Sequence, residues 1–156
     1  MMINTGAPAA TANNDQNEVV GAEKKNDEEG YEQEALNYLS LALQIIGDFS
    51  AEGSCLEAQR SERKKMMAFL QIDTLLSRVQ LFNHASDYNT ALEDLAHVVQ
   101  LCEEYPEKNE STLNSAIFQM GRNQMELSDF EKASVSFLRC QEMLKKQLQA
   151  LSLVAS

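Results

Sequence analysis

The chain contains one pattern twice, SDYNTALEDLAHVVQLC at residues 86–102 and SDFEKASVSFLRCQEML at residues 128–144. In both copies a Ser-Asp pair precedes an aromatic residue, an alanine follows three places later, and a large apolar residue comes four places after that. A repeated unit cannot bury its apolar face alone, so repeats stack on one another. The sequence therefore predicts a repeat fold whose function lies on a surface.

Apolar residues recur at spacings of three and four along most of the chain, and 6 Gly and 2 Pro in 156 residues leave few turn signals. Both features favour an all-α fold. We predict about five antiparallel helices, with residues 47–58 as a loop after the first and with Pro106 closing the third. Ser86 and Asp87 should cap the third helix, while Ser128 and Glu131 should form a capping box at the last. The predicted inward faces are Met66, Leu70, Leu75, Val79 and Phe82; then Tyr88, Ala91, Leu92, Leu95, Val98, Val99 and Cys102; and finally Phe130, Ala133, Phe137, Cys140, Leu144, Leu148 and Leu151.

Residues 1–30 contain almost nothing large to bury, and ordering them would cost backbone entropy without return. They are predicted to be a disordered acidic tail. Residues 31–156 are predicted to form the repeat domain, with unit boundaries near 60 and 108. The predicted unit has two helices joined by a short turn, with Gly121 twelve residues before Ala133. This arrangement is similar to the tetratricopeptide repeat.

The chain has 24 acidic and 13 basic side chains, a net charge of -11. Phosphate backbones and anionic membranes would be repelled, so we expect neither direct nucleic-acid binding nor membrane association. A basic partner is the natural complement, although excess acid can also serve solubility alone. Cys55, Cys102 and Cys140 lack close pair spacing and indicate reduced thiols in an intracellular protein. We expect neither a leader nor a membrane-spanning segment, because the first residues lack a basic-then-apolar pattern and the apolar runs are too short to span a bilayer.

Catalysis needs a convergent acid, base or nucleophile, and this chain has only two histidines, His84 and His97. Glu93 and His97 lie four residues apart near Cys102, but no fourth metal ligand accompanies them. We therefore predict no enzyme activity, no metal and no cofactor.

Three stretches together resemble the nuclear autoantigenic sperm protein family of histone chaperones. They are DEEGYEQEALNYLSLALQII, DYNTALEDLAHVVQLCEEY and STLNSAIFQMGRNQMELSDFEKASVSFLRCQEML. The resemblance extends over roughly residues 27–148 and corresponds to the family's later repeats. Arg78 and Val79 stand where the family has Leu-Gly. The resemblance implies a protein of the nucleus, or of the nucleus and the cytoplasm, that binds histone H3, alone or with H4.

The resemblance also implies two sets of binding residues. One would line a groove on the first helices of the repeats: Asp73, Leu76, Gln80, Asn83, Phe118, Gln119, Arg122, Met125 and Glu126. The other would screen histone Lys and Arg: Asp27, Glu28, Glu29, Glu32, Glu34, Glu93, Asp94, Glu103 and Glu104.

A tetratricopeptide adaptor without histone specificity is the alternative function. An adaptor that binds the acidic C-terminal tail of a heat-shock chaperone needs Lys, Arg and Asn converging on the inner helix faces. At those positions only Arg122 and Asn83 suit a carboxylate here. An adaptor for another peptide or helix stays open. Because fewer than three complete units is marginal for a solenoid, self-association as a homodimer could supply the missing cap.

Overall fold

The computed structural model describes residues 16–51 and 57–155, with side chains from Glu28 onward except those of residues 50, 51 and 58. These residues form five helices: α1 (Gln16–Ala51), α2 (Glu57–His84), α3 (Tyr88–Glu104), α4 (Glu110–Glu126) and α5 (Phe130–Val154). Helices α2 to α5 pack each on the next. Because short turns join them, consecutive helices run antiparallel. The all-α prediction is confirmed, and the arrangement is compatible with a tetratricopeptide-like repeat.

The turns of the α2–α3 and α4–α5 hairpins have the same backbone geometry. Ser86 and Ser128 adopt positive φ angles of 58° and 60°. In the first turn the amide of Asp87 donates to the Phe82 carbonyl at 2.8 Å, and in the second the amide of Asp129 donates to the Gln124 carbonyl at 2.8 Å. This six-to-one bond, with the left-handed residue before it, defines a Schellman motif that ends α2 and α4. The sequence repeat is therefore also a repeat of backbone conformation.

The N-caps of α3 and α5 are aspartates. Asp87 accepts from the Thr90 amide and hydroxyl at 3.3 and 2.7 Å, and Asp129 accepts from the Lys132 amide at 3.3 Å. The predicted capping box at Ser128 and the capping role of Ser86 are wrong. Each serine occupies the left-handed position that ends the preceding helix, so the cap falls one residue later.

Helix α1 is longer than the sequence predicts. It runs through Gly47 to Ala51, and α2 begins at Glu57, so the predicted loop at residues 47–58 is wrong at both ends. Residues 52–56 lie outside the described residues. Lengthening an existing helix needs no new nucleus, and Arg63 of α2 packs over the Phe49 ring at 4.4 Å, which stabilises the extension. At its other end α1 reaches back to Gln16, into the predicted tail, of which residues 1–15 are not described.

By its internal contacts the chain divides into Met1–Glu34 and Ala35–Ser156. The second unit holds one apolar core, which is contributed chiefly by α2, α3 and α4. Its largest fully buried side chains are Leu75, Val79, Leu95, Val98 and Cys102. Leu43 of α1 packs against the edge of this core.

The predicted inward face of α2 is wrong at two positions. Met66 and Leu70 are exposed, and Ala68 and Ile72 are buried instead. Ala68 and Ile72 lead to Leu75 and Val79 at spacings of four, three and four, whereas Leu70 lies five residues before Leu75, so the buried set is the one that keeps helical spacing. On α3 the prediction holds for Ala91, Leu95 and the residues that follow, while Tyr88 and Leu92 are only half-buried. On α5 the prediction fails beyond Cys140, where Leu144, Leu148 and Leu151 are exposed, as is Phe130 at its start.

Cys102 and Cys140 are free thiols buried in this unit. Desolvation raises the pKa of both, as a low-dielectric environment disfavours the thiolate. Cys55 lies outside the described residues. In the parts of the chain that the structure describes, no helix is both long and apolar enough to cross a membrane.

Candidate partner-binding groove

A cavity of about 550 Å³ opens between α2 and α4, next to the start of α3. Six of the nine predicted groove residues line it: Gln80, Asn83, Phe118, Gln119, Arg122 and Glu126. The α4 members recur at helical spacing, which places them on one face of that helix. Two thirds of the residues that the resemblance assigned to a groove are therefore brought together around one opening.

Phe118 is the main apolar contact surface of the groove. Half of its side chain is exposed, and its ring lies 5.5 Å from the Phe137 ring at an interplanar angle of 60°. Phe137 in turn lies over Gly121: a Cβ at that position would come within 2.7 Å of its ring. Gly121 thus lets Phe137 approach α4 closely and support Phe118 from behind. An aromatic ring held in this way loses little conformational entropy on binding a partner.

Amide side chains form the polar floor of the groove. The buried Asn123 of α4 donates from Nδ2 to Asn83 Oδ1 of α2 at 2.7 Å, which ties the two walls together. Gln80 and Gln119 add further amides to the lining. Amides offer both donors and acceptors, so this floor can pair with the backbone of a bound peptide.

Arg122 and Glu126 give the groove opposite charges four residues apart on α4. The lining therefore has no net charge, in contrast to the acidic chain as a whole. Selectivity in the groove must come from the aromatic ring and the amides, while the overall charge acts over longer distances.

Three predicted groove residues lie outside the lining. Leu76 is partly buried against the core, Asp73 is exposed, and Met125 is exposed on α4. The predicted groove set did not include Tyr88, Ser115 and Asn123, which also line the cavity. The spacing of Ser115 with Gln119, Arg122 and Glu126 signals one helical face, whereas Tyr88 enters only because α3 starts beside α4.

The acidic set is divided by the structure. Asp94 is buried at 6% exposure, and its two carboxylate oxygens accept from Arg78 at 2.6 and 2.5 Å. This bond raises the pKa of Arg78 above its ordinary value. The prediction that Asp94 screens a histone is wrong, because a buried carboxylate with a bidentate partner is not available to another protein.

Glu103 is also engaged, in an ion pair with Arg139 of α5. This pair is half-exposed, so a basic partner would have to compete with Arg139 for the Glu103 carboxylate. Glu93 and Glu104 are exposed on α3, as are Glu28, Glu29 and Glu34 on α1, while Glu32 is half-buried. The side chain of Asp27 is outside the described residues.

Among the described side chains, no three His, Cys, Asp or Glu residues converge as a metal site would require. His97 instead lies 3.5 Å from the Gln71 amide, from Nε2 to Nε2.

No family model matches the chain, and no curated protein shows significant similarity to it. The partner must therefore be inferred from the chain's own residues.

Proposed function

We propose that the protein is a histone chaperone that binds histone H3, alone or with H4, in the groove between α2 and α4. The observation that carries the proposal is an exposed aromatic ring braced from behind and surrounded by amides. Phe118 would take an apolar side chain of the bound segment, and Gln80, Asn83 and Gln119 would pair with its backbone. Arg122 and Glu126 would orient its charged groups.

The acidic surface supports a basic partner. Within the described residues, Glu93 and Glu104 are exposed on α3, and Glu28, Glu29 and Glu34 on α1. Surface charge of this kind raises association rates and is weakened by salt, whereas apolar burial in a groove is not. The choice of H3 among basic proteins rests on the family resemblance of residues 27–148.

The experiment that tests this function is a titration of the purified protein with H3, H4 and the H3–H4 complex at low and at physiological salt. Phe118→Ala should weaken H3 binding roughly tenfold at both salt concentrations, as loss of an aromatic hot spot does. Phe130→Ala is the matched control, because Phe130 is an exposed phenylalanine, at 61% against 50% for Phe118, that lies outside the groove. Replacing Glu28, Glu29, Glu32 and Glu34 by glutamine should weaken binding chiefly at low salt.

Equal binding by Phe118→Ala and the wild type would contradict the groove. Binding only at low salt, and equally to any basic protein, would contradict histone selectivity. Circular dichroism must first show that each variant is folded, because Phe118 also contacts Phe137.

One observation favours a second function, that of an adaptor for a different peptide. The lining of the groove is neutral and rich in amides, so nothing in it selects a basic segment over another extended or helical one. In that case a peptide without net charge would also bind in the groove, and Phe118→Ala would weaken its binding as much as it weakens H3 binding. Salt would have little effect on the affinity for this peptide.

A further inference from the structure

The groove between α2 and α4 contains two opposite charges that are not paired with each other. Arg122 and Glu126 both line it, and both are exposed. Among the described side chains, no ion pair or side-chain hydrogen bond joins either of them to another residue. An arginine four residues before a glutamate is the less favourable order for an ion pair within a helix. Both charges are therefore available to a bound molecule.

Three kinds of chemistry follow one another along α4. Phe118 presents an apolar ring, Arg122 a positive charge and Glu126 a negative charge, at steps of four residues. Each step is about 6 Å along the helix axis. Alternate residues of an extended chain lie about 6.6 Å apart on one face. An extended segment beside α4 can therefore face all three positions with every second side chain.

The amides of the groove distinguish an extended segment from a helical one. Gln80 and Asn83 of α2 and Gln119 of α4 line the opening. A helix bonds its own backbone amides and carbonyls except at its ends, so it offers these side chains little to pair with. An extended segment keeps backbone donors and acceptors free along its length, and side-chain amides can pair with both. The lining therefore suits an extended segment.

From these features we infer that the groove binds an extended segment with an acidic residue at its centre, an apolar residue two positions to one side and a basic residue two positions to the other. The acidic side chain pairs with Arg122, the apolar one packs on Phe118 and the basic one pairs with Glu126. The pattern is the same whichever way the bound chain runs, because the acidic residue is central in both directions. The inference names the ligand class of the proposed binding site and so rests on the proposed use of that groove.

Two kinds of short peptide test the order of the charges by fluorescence anisotropy. Both carry leucine, glutamate and lysine at alternate positions among threonines, which favour an extended chain. One kind has glutamate at the centre and the other has lysine, and each is made in both chain directions. The better glutamate-centred peptide should bind the wild type roughly tenfold more tightly than either lysine-centred one, which places like charges against Arg122 and Glu126. Salt should reduce this difference.

The double variant Arg122→Glu with Glu126→Arg exchanges the two charges and keeps the net charge. It should bind the lysine-centred peptide more tightly than the glutamate-centred one, a reversal that a loss of stability cannot produce. Its affinity for both should be lower, because the exchanged order favours an ion pair within α4. The matched control is Glu142→Lys with Lys146→Glu, an exposed pair at the same spacing on α5 outside the groove, which should keep the wild-type preference.

Equal binding of the two kinds of peptide, binding of neither, or an unchanged preference in the double variant would overturn the inference. So would tighter binding of a lactam-bridged helical peptide that carries the same three side chains four residues apart, because the groove would then prefer a helix.

These outcomes are separable from those of the H3 titration, since the peptides contain no histone sequence. If H3 binding depended on Phe118 but the peptides showed no preference, the charge order would be refuted and the histone function would stand. A peptide preference that reverses in the double variant, without any binding of H3, would support the charge order and contradict the histone function.

Discussion

The α2–α3 and α4–α5 hairpins share one backbone turn but fill their helix contacts differently. Val79 and Leu95 of the first correspond, 42 residues on, to Gly121 and Phe137 of the second. In the first hairpin both side chains are fully buried, and in the second a missing side chain admits a phenylalanine ring. Arg78 and Asp94 form an ion pair in the first; their counterparts are Met120 and Ser136, and Ser136 donates to Gln124 at 2.8 Å.

The comparison shows that the repeat preserves the turn and the buried alanine that follows it, Ala91 or Ala133, while other positions in the helix contact differ. In the first hairpin, two apolar side chains of moderate size and an ion pair fill the contact. In the second, a glycine with a phenylalanine and two neutral residues fill the corresponding positions. The second combination has a functional consequence, because only Phe137 is large enough to support a ring in the groove.

The largest effect is expected from breaking the ion pair. Arg78→Met should destabilise the protein by about 3 kcal/mol, because it leaves the Asp94 carboxylate buried without its partner. Urea unfolding followed by circular dichroism measures the change. The double variant Arg78→Met with Asp94→Ser, which reproduces the neutral residues of the second hairpin, should recover most of the loss. A double variant as unstable as the single one would show that the two hairpins are not interchangeable here.

A second exchange tests the contact between Gly121 and Phe137, in which a residue without a side chain admits a large ring. Gly121→Val should cost about 2 kcal/mol, because its Cβ alone would lie 2.7 Å from the Phe137 ring. Adding Phe137→Leu recreates the Val-Leu pair of the first hairpin and should restore most of the stability in the same unfolding assay. Histone or peptide binding should stay weak in the double variant, since Phe118 loses its support. Recovery of binding together with stability would refute that supporting role.

The turns offer a stabilising change. Ser86→Gly and Ser128→Gly should each raise the free energy of unfolding by roughly 0.5–1 kcal/mol, because glycine adopts positive φ without the steric cost that serine carries. Equal gains at both sites are expected from the equal geometry. Ser134→Gly, at an exposed position inside α5, is the control and should lower stability, as glycine does in a helix interior. A loss at either turn would mean that its serine makes a compensating contact.

The smallest expected effect is a pH-dependent difference in the free energy of unfolding between the wild type and a variant at the N-cap of α5. Hydrogen bonds and the 3.0 Å ion pair with Lys132 lower the pKa of Asp129, so its contribution to stability is present above the ordinary carboxyl pKa and is lost as pH falls through the lowered value. Asp129→Asn keeps a capping oxygen but not the charge. Its deficit relative to the wild type should therefore be present at neutral pH and vanish in acid. Asp87→Asn is the comparison in the first hairpin, where the facing side chain is the uncharged Thr90.

Part of the site was predictable because it follows from helical spacing. Phe118, Gln119, Arg122 and Glu126 fall on one face of α4, and Gln80 and Asn83 on one face of α2, so a sequence that predicts two parallel first helices also predicts these neighbours. Asp94 was not predictable in the same way. Its charge resembles that of the exposed Glu93 beside it, and only the approach of Arg78 from another helix makes its burial favourable.

By itself, the sequence determined the helices α2 to α5 and the repeated turn between them, because these depend on local spacing, capping and backbone freedom. The tertiary structure decided which acids remain exposed, where the apolar stripe of α5 extends beyond its contact with α4, and why position 121 is occupied by glycine, since the Phe137 ring lies over it. These outcomes depend on contacts between residues distant in the chain, and a periodic pattern gives the spacing of such contacts without naming the residue on the other side.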